Sequence, residues 1–146
     1  MRAMMSLRLE KSFGSWLREF RPDFVPAETL LDRFVAYDKP TDFIGRDAAW
    51  EARERGVERI QATFVVDAAD ADAWGDEPIW HAGRVVGFVT SGGYAHHAGE
   101  SVALGFVPAE LATPGIEVEV EILGEMRGAR LITKPLFDPE GSRMKG

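Results

Sequence analysis

Residues able to do chemistry are few in this chain, and the first is a carboxylate between two cations, Arg8-Leu9-Glu10-Lys11. A carboxylate offers two acceptor oxygens and can take two neighbouring N–H donors at once. Read by itself, Glu10 is a solvated helix charge. Arg143, with Lys145 as its rival, is a cation of the C-terminal tail and by itself a mobile surface group. His96 and His97 are adjacent. On a strand such neighbours point to opposite faces, so they chelate poorly, and no third ligand is evident. They read as loop residues, and His81 as a surface residue. Thr90-Ser91-Gly92-Gly93 has neither a P-loop lysine nor a Gly-x-Ser-x-Gly elbow around it. Its plain reading is a strand bend made possible by glycine. Glu117, Glu119 and Glu121 form a carboxylate row that reads as the wet face of a strand, not as a cation site.

The elements that must position these groups change character along the chain. Residues 3–11 form a short helix with Met4 and Leu7 on one face. Gly14 permits a break after it. Trp16, Leu17, Phe20, Phe24 and Val25 then make an apolar stretch punctuated by Pro22 and Pro26. Pro26 suits a first helical turn before Ala27-Glu28-Thr29. At about 25 cal/mol per Å², leaving so many apolar groups wet costs several kcal/mol, so this stretch is expected to be covered, with a missing N-terminal domain as the natural cover. A helix follows over Arg46 to Arg55 and ends at Gly56. Beyond it lie strands at 60–66, 79–81, 84–90, 101–107, 116–123 and 126–133, joined by turns such as Ala82-Gly83. Ile116, Val118, Val120 and Ile122 alternate with glutamates, the pattern of a half-buried antiparallel strand. The fold expected is mainly β: a small six-stranded antiparallel barrel, distorted or jelly-roll-like, preceded by a short α-helical docking segment.

Composition limits the function classes. The 146 residues suit one domain, or one small domain with a docking segment. Hydrophobic residues make up 45%, enough for a core. A net charge of −7 opposes sequence-independent nucleic-acid binding, which needs a basic face. There is no cysteine, so disulfides, thiolate nucleophiles and cysteine metal sites are excluded. No apolar run approaches the roughly 20 residues of a membrane span, so no membrane partner is expected. A cytoplasmic setting, or the mitochondrial matrix in a eukaryote, is the simplest expectation.

Four motifs in order carry a family resemblance: Ser6-Leu7-Arg8-Leu9-Glu10-Lys11; Lys39-Pro40-Thr41-Asp42-Phe43-Ile44-Gly45-Arg46-Asp47-Ala48; Gly87 to Tyr94 followed by Ser101 to Val107; and Lys134-Pro135-Leu136-Phe137-Asp138-Pro139 with Arg143 and Lys145 after it. Together they resemble the C-terminal part of the glycine-cleavage T-protein (aminomethyltransferase) family. Lys11, where true T-proteins commonly carry a small residue, favours the dimethylglycine/sarcosine dehydrogenase-like branch. The resemblance covers nearly the whole chain. It implies that residues 1–38 are the tail end of a folate-binding domain with docking helices, and that residues 39–146 are the family's C-terminal barrel.

The resemblance also implies a function: helping to bind tetrahydrofolate and to transfer a one-carbon unit from a methylated glycine to it. By this carry-over Glu10 takes the position that hydrogen-bonds the pterin ring, and Arg143 lies near the folate. The family's catalytic aspartate and pterin-sandwiching aromatics lie mainly upstream of the Glu10 segment. No catalytic residue is therefore assigned within these residues, and no metal. FAD is implied only for an upstream domain, because no Gly-x-Gly-x-x-Gly loop occurs here. The chain alone is expected not to turn over. Its partners are expected to be folate and an N-terminal domain or subunit. The alternative is a non-catalytic split subunit or interaction module that packs on a separate N-terminal partner.

Overall fold

Stretches rich in β-branched and aromatic residues form six antiparallel strands: β1 Arg59–Val66, β2 Pro78–His81, β3 Arg84–Ala95, β4 Glu100–Pro108, β5 Glu117–Ile122 and β6 Glu125–Ile132. The computed structural model describes residues 2–146; Met1, the first residue of the 1–38 segment, lies outside them. The strands pair in the order β1-β4-β3-β2-β5-β6 and close into a barrel. Closure gives each strand two neighbours and leaves no open sheet edge. The barrel expected from the sequence is therefore present, together with the short helix that precedes it.

Alternation fixes which side chains fill the barrel. Val118, Val120 and Ile122 of β5 point inward to meet Phe64, Ile79, Val89, Ala103 and Leu131. Glu117 and Glu119 face water, and Glu121, half-buried, accepts a hydrogen bond from Trp80 Nε1 at 3.1 Å. Strand β4 departs from alternation, with Ser101 to Val107 buried throughout. Its two faces have different covers. Ala103 and Val107 enter the barrel interior, while Val102 and Leu104 pack under Leu9. Phe106 stacks on Phe24 with ring centroids 4.0 Å apart. The strand is buried on both sides because the N-terminal segment lies over its outer face.

That segment holds one regular helix, α1 Arg2–Glu10. The helix expected after Pro26 is instead a run of turns closed by a short 3-10 turn over Asp32–Phe34. Leu30 adopts a positive φ there, which breaks helical continuation. The apolar stretch also divides. Phe24 is buried against the barrel and Phe20 is half-buried, whereas Trp16 and Leu17 remain about four-fifths exposed, at 79% and 82%. The cover expected for Phe24 is thus supplied within the chain. Helix α2, Arg46–Arg55, begins and ends at glycines with positive φ, Gly45 and Gly56, as its sequence demands. A last short turn, α3, spans Ser142–Lys145.

Candidate functional site

Helix α1 carries Ser6, Leu9 and Glu10 on the side that faces the barrel, three and four residues apart. Leu9 is 2% exposed and packs on Ala95, Val102, Leu104 and Leu136. Ser6 Oγ donates to the Tyr94 carbonyl at 2.7 Å. These contacts pin the helix to the β3–β4 hairpin and carry Glu10 into the interior. The carboxylate is 1% exposed, so it is not the solvated surface charge that its neighbours Arg8 and Lys11 suggest. Its Oε1 accepts the His97 backbone N–H at 2.7 Å. Its Oε2 is buried and makes no hydrogen bond. A buried carboxylate oxygen without a donor is costly, so this atom is the natural point for a donor brought by a ligand.

The C-terminal tail returns to the same place. Phe137 N–H donates to the Glu10 carbonyl at 3.1 Å, and the Phe137 ring meets His97 edge-on with centroids 4.7 Å apart. Arg143 is exposed and sets its guanidinium 5.4 Å from the Phe137 ring centroid. The fold thus brings Glu10 and Arg143, 133 residues apart in sequence, to one end of α1. Lys145, the rival cation, donates to the Glu140 carbonyl at 3.3 Å and points into its own turn. His96 and His97 lie in the loop between β3 and β4, as read from the sequence. His97 contributes its backbone N–H and ring face to the contacts around Glu10.

A second buried carboxylate was not singled out in the sequence. Glu19 has no exposed surface. Its Oε1 accepts Thr90 Oγ1 at 2.6 Å and also the Ser91 hydroxyl. Its Oε2 accepts the Ser15 N–H at 2.6 Å and pairs with Arg8 Nη1 at 3.5 Å. The Thr90-Ser91 bend is therefore a β-bulge, since β3 slips register against β4 between Val89 and Ser91. The slip places two successive hydroxyls on the same carboxylate. The arrangement anchors the N-terminal segment to the barrel and serves no nucleophile. The available signal was a glutamate inside the apolar Trp16–Phe20 stretch, but its donors lie 71 and 72 residues away. Arg8 gains only part of its needs from this carboxylate. Burial most strongly pulls its pKa down, Glu19 opposes that pull, and Arg18 adds to it.

A groove of about 780 Å³ is lined by Trp80, His81, Glu117, Glu119 and Arg130 among others and includes neither Glu10 nor Arg143. Its mixed charges and open shape are those of a strand surface.

A closed six-stranded antiparallel barrel preceded by a short helix, with a half-satisfied buried carboxylate at the helix end, defines a small β-barrel domain. The profile of the glycine cleavage T-protein C-terminal barrel domain matches residues 59–138, and the chain belongs to that family. It is 40% identical over 143 residues to mitochondrial dimethylglycine dehydrogenase of Mus musculus, covering 98% of this chain and 16% of that enzyme. It is 36% identical over 135 residues to the aminomethyltransferase of Synechocystis, covering 92% of this chain and 36% of that protein. The crystal structure of glycine cleavage system aminomethyltransferase T from Bartonella henselae superposes with a TM-score of 0.84 at 26% identity, covering 94% of this chain and 38% of that one. The chain thus spans about a sixth to about a third of the length of the relatives it matches.

Proposed function

We propose that this chain is the folate-contacting C-terminal part of a one-carbon enzyme, of the aminomethyltransferase or dimethylglycine dehydrogenase kind, that moves a carbon unit from a methylated glycine to tetrahydrofolate. The buried Glu10 carboxylate with an unpartnered Oε2 carries this reading. A pterin presents an amino group and a ring N–H side by side, and a carboxylate accepts both. The His97 N–H on Oε1 fixes the carboxylate plane and leaves Oε2 for the incoming donor. Bound tetrahydrofolate supplies the nitrogens that take up the carbon unit. Glu10 orients the ring, and Arg143, carried by the tail beside it, offers a cation to the ligand's anionic portion. Residues 1–38 complete the folate-binding domain, and residues 39–146 form the barrel that backs it. The acid–base group and the flavin, where one is used, belong to upstream sequence. Relatives that are about three to six times longer support this division. The test is formation of methylenetetrahydrofolate by the polypeptide with its N-terminal part and by these 146 residues alone. Activity is expected in the first and none in the second; turnover by the 146 residues alone would overturn the division of labour, and a longer polypeptide without tetrahydrofolate-dependent activity would overturn the folate assignment.

A second reading rests on Trp16 and Leu17, which stay exposed at 79% and 82% after the rest of their stretch is covered. They fit an interaction face for an N-terminal partner, whether fused or separate. The double substitution Trp16→Ala/Leu17→Ala should weaken that association and leave barrel melting within a few degrees. A large fall in Tm would instead make them core residues.

A further inference from the structure

We propose that Lys11 and Asp138 form a positioning pair that orders the C-terminal turn, and with it Arg143, against the Glu10 site. The proposal rests on the reading of Glu10 as the ligand-holding carboxylate, and it adds the device that assembles the second half of the site.

Lys11 follows Glu10 directly, at the point where α1 ends. Its ammonium donates to the Asp138 backbone carbonyl at 2.6 Å and lies 3.4 Å from Asp138 Oδ2. Both side chains are withdrawn from water, at 12% and 3% exposure. That burial separates this pair from the exposed tail pair Lys134–Glu140, at 73% and 72%. The second oxygen of Asp138 is also used. Oδ1 accepts Ser142 Oγ at 3.0 Å and the Arg143 N–H at 3.3 Å, the first bonds of α3. One carboxylate therefore joins the end of α1 to the start of the turn that carries Arg143. Asp138 adopts φ 45°, a left-handed conformation that Asp and Asn tolerate better than other side chains. With the Phe137 N–H on the Glu10 carbonyl, the contacts close a ring from Glu10 to Lys11, Asp138, Arg143, Phe137 and back. Nothing else in residues 138–146 is buried, so without the pair the turn has little to hold it.

The substitution Lys11→Met keeps the aliphatic stem and removes the three donors; Lys11→Arg keeps the charge; Asp138→Asn keeps the shape and the tolerated φ. The first readout needs no ligand. In the 146-residue chain, ¹⁵N order parameters for residues 138–145 and amide exchange at Phe137 report whether the tail is held. Lys11→Met and Asp138→Asn should each raise Phe137 exchange about tenfold and drop the tail order parameters to values of a flexible terminus. Lys11→Arg should restore both, and the double variant should be no worse than either single one. Exchange at Val102 and Leu104 should stay unchanged. A tail equally ordered in Lys11→Met, or exchange rising equally in tail and strands, would overturn the proposal. The second readout is tetrahydrofolate affinity in the polypeptide with its N-terminal part. There Lys11→Met should weaken binding as much as Arg143→Ala, and the combination should add nothing further. Additive losses would overturn the link to Arg143. If Glu10→Gln leaves affinity unchanged, the pterin reading fails, while the order parameters still decide whether the pair holds the tail.

Discussion

At the scale of single residues, two buried carboxylates do opposite work. Glu19 is fully satisfied, with two hydroxyls, a backbone N–H and a guanidinium around it. Glu10 is half-satisfied. Full satisfaction marks an anchor, and the free oxygen of Glu10 is the atom on which the proposed pterin contact rests. Glu19→Ala leaves Arg8 buried beside an empty space and the Ser91 hydroxyl without its acceptor, while Thr90 keeps the Leu104 carbonyl at 3.1 Å. Breaking a buried pair in this way costs about 3–5 kcal/mol, which urea unfolding would measure as a lower midpoint with an unchanged slope. Glu10→Gln removes charge where one oxygen has no donor, so stability should change by less than about 1 kcal/mol while tetrahydrofolate binding weakens about tenfold or more. The sequence pointed to Glu10 through its motif, but its flanking Arg8 and Lys11 argued for water. Burial came from Leu9 and Ser6, whose contacts lie on a hairpin nearly 90 residues away. Glu19 was hidden for the same reason, since no local pattern pairs it with Thr90 and Ser91.

Secondary structure was far more legible than side-chain partnership. The strands and α2 could be read from alternation and from glycine and proline punctuation, because those signals are local. The exception is β3, which reads as ending at Thr90 yet runs to Ala95. Gly92 permits the continuation, since a Cβ there would lie 2.2 Å from the Ala73 carbonyl oxygen. Gly87 is more demanding, with a built Cβ only 2.0 Å from the Phe106 carbonyl oxygen. Gly87→Ala should therefore force β3 and β4 apart and cost about 1–3 kcal/mol or more, read as a drop in Tm. The turn after Pro26 was misread as helix because proline placement permits a helix start but does not require one. For the C-terminal tail, acid is the diagnostic variable. Burial opposes the charged form of Asp138, but the Arg143 N–H, the Ser142 hydroxyl and Lys11 together hold its pKa below the ordinary 3.8. A lowered folded pKa adds stability that is complete above the unfolded value and is lost as pH falls through the folded one. Tail order at Phe137 should hold down to about pH 4 and decay below it. Glu140, also lowered through Lys134, titrates nearby, so Asp138→Asn serves as the control that removes the Asp138 contribution.

For the whole molecule, the barrel is closed, while the N-terminal segment is only partly covered. Phe24 and Leu9 seal the outer face of β4, and Trp16 and Leu17 face outward. This division fits the proposed reading, in which Trp16 and Leu17 face an N-terminal partner. Among the described residues no helix is long and apolar enough to cross a membrane. In the proposed function Glu10 receives a pterin at its free oxygen. The most direct measurement is a titration of the ¹⁵N-labelled 146-residue chain with tetrahydrofolate at millimolar concentration, followed at the His97 amide. That N–H donates to the other oxygen of the same carboxylate and will sense any donor arriving at Oε2. A progressive shift at His97 that is lost in Glu10→Gln is expected. A silent His97 amide, or a shift that persists in Glu10→Gln, would contradict it.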